Sequence, residues 1–155
     1  MKTVYTTGVF DILHRGHFNI LTKAAALGDR LVVGLQEDDS VRQSKGKLPV
    51  LNTLERVEQL KALPFVSDVR VYTGTDQLPH LEEVKPDIMV QGDDWLATGD
   101  RTEIVKYLKD NNIRLVLFPY TQSISTTEIK KRVIANASPL REDDSFFCSI
   151  SSFFQ

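Results

Sequence analysis

Residues 2–17, with the sequence KTVYTTGVFDILHRGH, decide the fold because a strand pattern passes there directly into the start of a helix. Residues 2–7 are rich in β-branched and aromatic side chains, which is typical of a strand. Helical spacing then predicts a helix over residues 17–27, with Gly28 placed to cap its end. The stretch therefore predicts the first strand–helix unit of an alternating chain.

The alternation continues toward the C-terminus. Short apolar runs predict further strands at residues 31–35, 69–72, 87–91 and 115–118. Helices are predicted at residues 52–63, 78–84, 102–111 and 125–135. Asn52 with Glu55, and Ser125 with Glu128, have the spacing of a capping box. Residues 40–51 hold Lys45, Gly46, Lys47 and Pro49 and predict a loop.

Strands that alternate with helices predict an α/β fold: a Rossmann-like, doubly wound parallel sheet of about five strands with helices on both faces. In such sheets the ligand binds beyond the carboxyl ends of the strands, at the topological switch point. The residues that follow each strand are therefore the candidates for function.

Composition excludes several classes of protein. The chain has 155 residues, of which 41% are hydrophobic and 26% charged, as in a soluble globular domain. Its net charge of -2 lacks the basic excess of a non-specific nucleic-acid binder. The single cysteine, Cys148, cannot form an intramolecular disulfide, and no apolar run reaches the length of a membrane span. A cytoplasmic protein is expected.

Residues 1–135 are expected to form one domain, and residues 136–155 a C-terminal tail of different character. The tail has a charged stretch at residues 141–144, and then Phe146, Phe147, Phe153 and Phe154 among serines. It is expected either to be a mobile or locally packed extension or to cover a neighbouring subunit.

His14 and His17 flank Gly16 at the point where the first strand gives way to a helix. A glycine allows a ligand to approach the backbone, and a helix N-terminus favours an anion. Imidazoles there could donate hydrogen bonds to phosphate oxygens whose charge grows in a transition state. The alternative is that His17 caps the helix and His14 packs in the loop. A zinc site is disfavoured because the sequence has no further cluster of Cys or His.

Three further groups follow strands or precede helices. Residues 123–127, Ser-Ile-Ser-Thr-Thr, could hold phosphate oxygens at a helix N-terminus, although Ser125 could equally be a simple N-cap. Residues 92–95, Gly-Asp-Asp-Trp, suit ribose hydroxyls or a magnesium ion, or form an ordinary acidic turn over Trp95. Lys45 and Lys47 could close over a triphosphate, or remain solvated.

Taken together and in this order, the segments 8–11, 14–17, 92–95 and 124–127 resemble the cytidylyltransferase family. The resemblance covers about residues 2–134 and is nearest in appearance to the glycerol-3-phosphate cytidylyltransferases. The adenylyltransferase domains that make ADP-heptose are also similar. The family reaction, attack of a substrate phosphate on the α-phosphate of a nucleoside triphosphate, needs no covalent enzyme intermediate and depends on positioning and electrostatics.

The resemblance implies a role for each matching residue. Catalysis is assigned to His14, His17, Lys45 and Lys47. Nucleotide binding is assigned to Thr7, Gly8, Phe10, Gly16, Asp94, Ser125, Thr126 and Thr127. Substrate binding is assigned to Asp11 and Arg56. No metal bound by side chains is implied; Mg²⁺ is expected on the triphosphate, and a homodimer is expected.

Two departures bear on the substrate. The glycerol-phosphate enzymes have an arginine where this chain has Tyr120, and another where it has Pro64. Loss of two bidentate phosphate donors is not conservative. The heptose-type domains lack both arginines as well, whereas residues 92–95 and Ile124 favour the cytidylyl branch.

The expected function is transfer of CMP from CTP to a small phosphorylated alcohol, with glycerol 3-phosphate as the best single candidate. The alternatives are an adenylyltransferase that uses ATP and a sugar phosphate, and a non-catalytic nucleotide-binding module.

Overall fold

The computed structural model describes residues 1–137, and the tail expected over residues 136–155 lies almost wholly outside them. Five strands form one parallel sheet: β1 Thr3–Gly8, β2 Arg30–Gln36, β3 Asp68–Tyr72, β4 Ile88–Gly92 and β5 Arg114–Phe118. The helices are α1 Arg15–Ala25, α2 Asp38–Lys45, α3 Thr53–Lys61, α4 Leu78–Val84, α5 Thr102–Asp110 and α6 Thr126–Asn136. A single 3-10 turn spans Trp95–Ala97.

The strand order is β3-β2-β1-β4-β5, and every neighbouring pair is parallel. This doubly wound order confirms the predicted fold class. The order reverses between β1 and β4, so the switch point lies where both strands end. The three central strands are buried along nearly their whole length, as their continuous apolar sequences require.

The sheet has a separate hydrophobic core on each face. Alternation along β1 sends Val4 to one face, where it packs with Leu21 of α1 and Leu60 of α3. Tyr5 points to the opposite face, where it packs with Leu81 of α4 and with α5. Helices α1 and α3 thus cover one face of the sheet, and α4 and α5 cover the other.

One predicted loop is partly a helix. Residues 40–51 were expected to be irregular, but α2 continues to Lys45, and Gly46 ends it in the left-handed conformation at φ 77°. Asp38 and Asp39 in the first turn favour a helix N-terminus. Only Ser40 and Val41 are buried, so the segment has no apolar stripe from which a helix could be predicted.

The ends of α1 also differ from the prediction. The helix begins at Arg15 rather than residue 17, and its C-cap is Ala26 in the right-handed conformation rather than Gly28. Gly28 serves a packing role, since a Cβ there would approach the Lys2 carbonyl oxygen at 2.8 Å. None of the helices within residues 1–137 combines the length and the apolar character that a membrane crossing requires.

Candidate active site

A cleft of about 450 Å³ opens at the carboxyl edge of the sheet, beside the switch point between β1 and β4. The segment after β1, the N-terminus of α1, the end of α2 and the N-terminus of α6 form its walls. Four lysines and one aspartate are among the described residues that line it: Lys23, Lys45, Lys47, Lys130 and Asp11. The cleft is therefore positively charged, although the chain as a whole carries a net charge of -2.

His14 and His17 lie together in this cleft, with their rings stacked at 3.8 Å between centroids. His14 is the N-cap of α1, and its Nδ1 accepts a hydrogen bond from the Gly16 amide at 3.0 Å. His17 Nδ1 accepts one from the His14 amide at 3.3 Å. A Cβ on Gly16 would lie 2.8 Å from the His14 ring, so this arrangement requires glycine. The alternative left by the sequence, with His17 as the cap and His14 packed in the loop, is not what the structure shows: His14 is the N-cap, His17 completes the capping box from the first turn, and both residues line the cleft.

These hydrogen bonds fix the tautomer of both rings. A ring nitrogen that accepts a hydrogen bond from an amide carries no proton, so each neutral imidazole bears its hydrogen on Nε2. Each ring thus retains one N–H donor for a ligand.

Burial keeps the two rings neutral. Burial, helped by the neighbouring charges of His14 and Lys45 and opposed by Asp11, lowers the pKa of His17 to about 4. Burial also lowers the pKa of His14. At neutral pH the pair therefore offers two N–H donors without a full positive charge.

The loop between β1 and α1 is held in an unfavourable backbone conformation. Phe10 and Ile12 both have φ of 52°, in the left-handed region that bulky residues rarely adopt. The Phe10 ring is buried, within 3.0 Å of where a Gly8 Cβ would lie and 5.5 Å from the His17 ring. Residues in such conformations cost about 1–3 kcal/mol each and persist only where the surroundings determine them.

Asp11 joins three parts of the cleft wall. Its carboxylate accepts hydrogen bonds from the amides of Val50 and Leu51 at 2.8 and 3.0 Å. Its carbonyl oxygen accepts one from the Thr126 hydroxyl at 2.7 Å, and the Lys130 ammonium lies 3.7 Å from Oδ2. The side chain was predicted to bind substrate, but both carboxylate oxygens are bonded to the protein. Asp11 therefore holds the segments of the cleft wall together.

Arg56, also predicted to bind substrate, is completely buried and does not reach the cleft. Its guanidinium donates to the carbonyl oxygens of Val9, Gln36 and Leu51 at 2.8–3.0 Å. It also forms a salt bridge with Asp38 at 2.7 Å. The structure corrects the assignment. The guanidinium of Arg56 connects the ends of β1 and β2 with Leu51, in the segment before α3, and it does not contact the cleft.

Lys45 and Lys47 both line the cleft on the wall opposite α6. Lys45 is the last residue of α2, and Lys47 follows the left-handed Gly46. The Asp11 and Arg56 hydrogen bonds to Leu51 anchor the far end of this lysine segment. The pair can therefore neutralise an anion held by the histidines.

The N-terminus of α6 lines the same cleft as the two histidines. Ser125 is its N-cap and accepts from the Glu128 amide at 3.0 Å, but the reciprocal half of the predicted capping box is missing because Glu128 lies beside Arg132. Thr126 and Thr127 line the cleft in the first turn, where amide hydrogens have no partner within the helix. A helix of this length also favours an anion at this end.

Thr7, Gly8 and Gly16 form the floor and one side of the cleft. The Thr7 hydroxyl oxygen accepts hydrogen bonds from the side-chain amides of Gln77 and Gln91 at 2.7 and 2.8 Å. Asp94 lies at the rim rather than in the wall, where it accepts a hydrogen bond from Tyr120. All the predicted site residues line this cleft except Arg56 and Asp94, and Asp94 is connected to it through Tyr120.

Sequence reasoning missed Lys130, which lines the cleft from α6. Its position three residues after Thr127 places both on one helix face, and this spacing could have identified it. Among residues 1–137, no group of three or more His, Cys, Asp or Glu side chains is arranged to hold a metal ion.

Comparison with known proteins relates this site to a family. The family model described as Cytidylyltransferase-like matches residues 5–132. The Bifunctional protein HldE of Helicobacter pylori is 38% identical over 133 residues, which are 84% of this chain and 28% of that protein. The Bifunctional protein HldE of Citrifermentans bemidjiense is 37% identical over 136 residues, again 28% of its length and 87% of this chain. The chain thus spans little more than a quarter of these curated relatives.

A solved structure is similar over its whole length. The crystal structure of a lipopolysaccharide core biosynthesis protein from Thermoplasma volcanium is 31% identical, with a TM-score of 0.66. The similarity covers 80% of this chain and 99% of that one.

Proposed function

Because the chain belongs to the cytidylyltransferase-like family, we propose that it transfers a nucleoside monophosphate from a nucleoside triphosphate to a small phosphorylated acceptor. The observation that carries this proposal is the pair of neutral imidazoles, each with a free Nε2–H donor, at the switch point of the sheet. Donors fixed in position before the ligand arrives are suited to charge that develops during phosphoryl transfer.

In the proposed reaction an acceptor phosphate oxygen attacks the α-phosphorus of the triphosphate. A new P–O bond forms there, the bond from the α-phosphorus to the α–β bridging oxygen breaks, and pyrophosphate leaves with that electron pair. His14 and His17 donate hydrogen bonds to the α-phosphate oxygens as their negative charge increases. Lys45 and Lys47 neutralise the incoming phosphate, while Thr126, Thr127 and Lys130 hold the departing β- and γ-phosphates.

Mg²⁺ enters this proposal as part of the substrate, bound to the triphosphate. Asp11, the acidic residue in the described cleft wall, already accepts two backbone hydrogen bonds, so its carboxylate is poorly suited to hold a resident ion. The four lysines instead suit a ligand that remains negatively charged after it has bound one Mg²⁺ ion.

The preferred substrates are ATP and a sugar phosphate, giving an ADP-sugar of the ADP-heptose type. The two HldE matches support this choice over the cytidylyl reaction expected from sequence. The similarity to a lipopolysaccharide core biosynthesis protein agrees with a sugar acceptor. Tyr120 and Pro64, which replace two arginines of the glycerol-phosphate enzymes, also favour it.

A second candidate is transfer of CMP from CTP to glycerol 3-phosphate. It is favoured by the Gly-Asp-Asp-Trp sequence at residues 92–95 and by Ile124 before the serine and threonines, both of which resemble the cytidylyl branch.

A pyrophosphate-release assay tests the proposal. ATP and CTP are each combined with heptose 1-phosphate, other sugar phosphates and glycerol 3-phosphate in the presence of Mg²⁺. Turnover with ATP and a sugar phosphate is expected, and turnover only with CTP and glycerol 3-phosphate would establish the second candidate. Nucleotide binding without pyrophosphate release from any pair would favour a non-catalytic module.

We further propose that the protein is a homodimer, as the family resemblance implies. Light scattering is expected to give twice the 17.5 kDa mass of one chain, and a monomer mass would refute this.

A further inference from the structure

Tyr120 bridges the segments that follow β4 and β5. Its phenol lies against Gly92, where a Cβ would be only 2.9–3.3 Å from three atoms of the side chain. Its hydroxyl donates a hydrogen bond to Asp94 Oδ1 at 2.8 Å. Gly92 therefore leaves room for the phenol, and Asp94 fixes its direction.

The ring is anchored but far from buried. Tyr120 lines the cleft and is 60% exposed, although its hydroxyl is bonded and one side of the phenol rests on the backbone. Burial of the hydroxyl and the charges of Asp94 and Asp93 raise the pKa of Tyr120 to about 12, so it remains a donor at neutral pH. An aromatic side chain held in this way presents a flat, apolar surface to the cleft.

The cleft has different chemistry at its two ends. The histidines and three of the lysines surround the junction of β1, α2 and α6. Residues 118–121, Phe-Pro-Tyr-Thr, carry no charge of their own, although the Lys23 ammonium lies 5.5 Å from the centre of the Phe118 ring. Thr121 accepts a hydrogen bond from the Asn19 side chain at 2.9 Å. A triphosphate held at the charged end would place its nucleoside toward the uncharged end.

We propose that Tyr120 is a nucleoside-contact residue, whose exposed ring face stacks on the nucleobase while its hydroxyl holds Asp94 at the edge of the same subsite. The inference rests on the proposed function, because it requires a nucleotide in the cleft. Every nucleobase has a π face, so the contact increases affinity for nucleotides without by itself selecting one base. The glycerol-phosphate enzymes have an arginine, a phosphate donor, at the position of Tyr120. In this chain the side chain at that position contacts the base instead of a phosphate.

Two probes separate contact with the nucleoside from contact with the phosphates. Isothermal titration calorimetry with Mg²⁺ measures binding of ATP or CTP, and binding of inorganic tripolyphosphate, which has no base or ribose. Tyr120→Leu is expected to weaken nucleotide binding about 10-fold or more, since base–aromatic stacking is of this order. It is expected to change tripolyphosphate binding less than about 2-fold, which also shows that the variant is folded.

Tyr120→Phe is the matched control. It keeps the ring and removes the hydroxyl that bonds to Asp94, so it is expected to weaken nucleotide binding less than about 3-fold. Equal effects of Tyr120→Leu on nucleotide and tripolyphosphate, or no effect on either, would overturn the inference.

The outcomes also separate this inference from the proposed function. Normal pyrophosphate release by a Tyr120→Leu variant that binds nucleotide as tightly as wild type would refute the base contact and leave the activity intact. Selective loss of nucleotide affinity in a protein that releases no pyrophosphate from any substrate pair would uphold the contact and refute the activity. A wild-type protein that binds tripolyphosphate but no nucleotide would refute both.

Discussion

Two backbone amides determine what His14 and His17 can offer a ligand. Each amide donates to an Nδ1 atom, so both Nε2–H groups remain available, and burial keeps the rings neutral. The residues at the helix start could be identified from sequence because two histidines flank a glycine after a strand. The tautomer could not, because it depends on which ring nitrogen each amide reaches.

His17→Ala is expected to lower kcat/KM for pyrophosphate release about 100-fold or more, because one fixed donor to the reacting phosphate is lost. His80→Ala is the control. Its ring lies 4.6 Å from that of Tyr72, away from the cleft lining, and its loss is expected to cost little activity. Similar tolerance of both substitutions would contradict the assigned role of the histidine pair.

The depressed pKa of His17 predicts how stability depends on pH. The unfolded chain takes up a proton near pH 6.5, whereas the native protein resists it down to about pH 4. The unfolded state therefore binds more protons in that window, and stability falls as the pH falls from 6.5 to 4. Urea unfolding at pH 7 and 4.5 should show wild type losing about 2 kcal/mol more than His17→Asn. An equal loss in the two proteins would contradict the pKa shift.

At the scale of the elements, Arg56 of α3 helps to fix residues 45–51, the segment that carries Lys45 and Lys47. Arg56 bonds the carboxyl ends of β1 and β2 and the carbonyl of Leu51, while Asp11 bonds the Leu51 amide. Both polar groups of Leu51 are thus fixed by charged side chains from different elements. The Arg56 hydrogen bonds explain why a charged residue is tolerated at zero exposure.

Arg56→Met is expected to lower the free energy of unfolding by about 3–5 kcal/mol, because it leaves Asp38 and three buried carbonyl oxygens without their donor. Arg42→Met on α2 removes an exposed pair with Asp39 and is expected to cost less than about 1 kcal/mol. Denaturant unfolding of the two variants compares them. Equal losses would show that the buried hydrogen bonds contribute no more than a surface pair.

Sequence predicted those elements whose ends carry local signals. The capping box at Asn52 and Glu55 is present on both sides, and α4 spans the predicted residues. The helix α2 was missed because it has almost no apolar face, and Gly46 and Pro49 nearby indicated a loop. Arg56 was misassigned because a sequence motif shows that a residue is placed near a site, but not whether its side chain points into the cleft or beneath it.

At the scale of the molecule, strand order 3-2-1-4-5 assembles the cleft from residues far apart in the chain. The alternation of strands and helices could be predicted from periodicity, as could the edge of the sheet at which a ligand binds. The bond between Tyr120 and Asp94 spans 26 residues of sequence and depends on β4 lying beside β5. No local pattern indicates such a contact.

A chain ended after Ala137 is expected to fold and to bind nucleotide like the 155-residue chain, because residues 1–137 already supply two hydrophobic cores and the cleft residues named above. Its thermal midpoint should lie within about 3 °C of that of the full chain. Differential scanning calorimetry, with and without ATP, measures both properties. A much lower midpoint would show that residues 138–155 contribute to the core.

The residues that line the cleft are far apart in the sequence, so they are synthesised at different times during translation. The histidines are synthesised more than 100 residues before the threonines and Lys130 that line the same cleft. A nascent chain that has completed β1, α1 and β2 therefore carries phosphate donors with no facing wall. Under the proposed function, a nucleotide that needs both groups can stabilise the chain only after α6 has been synthesised.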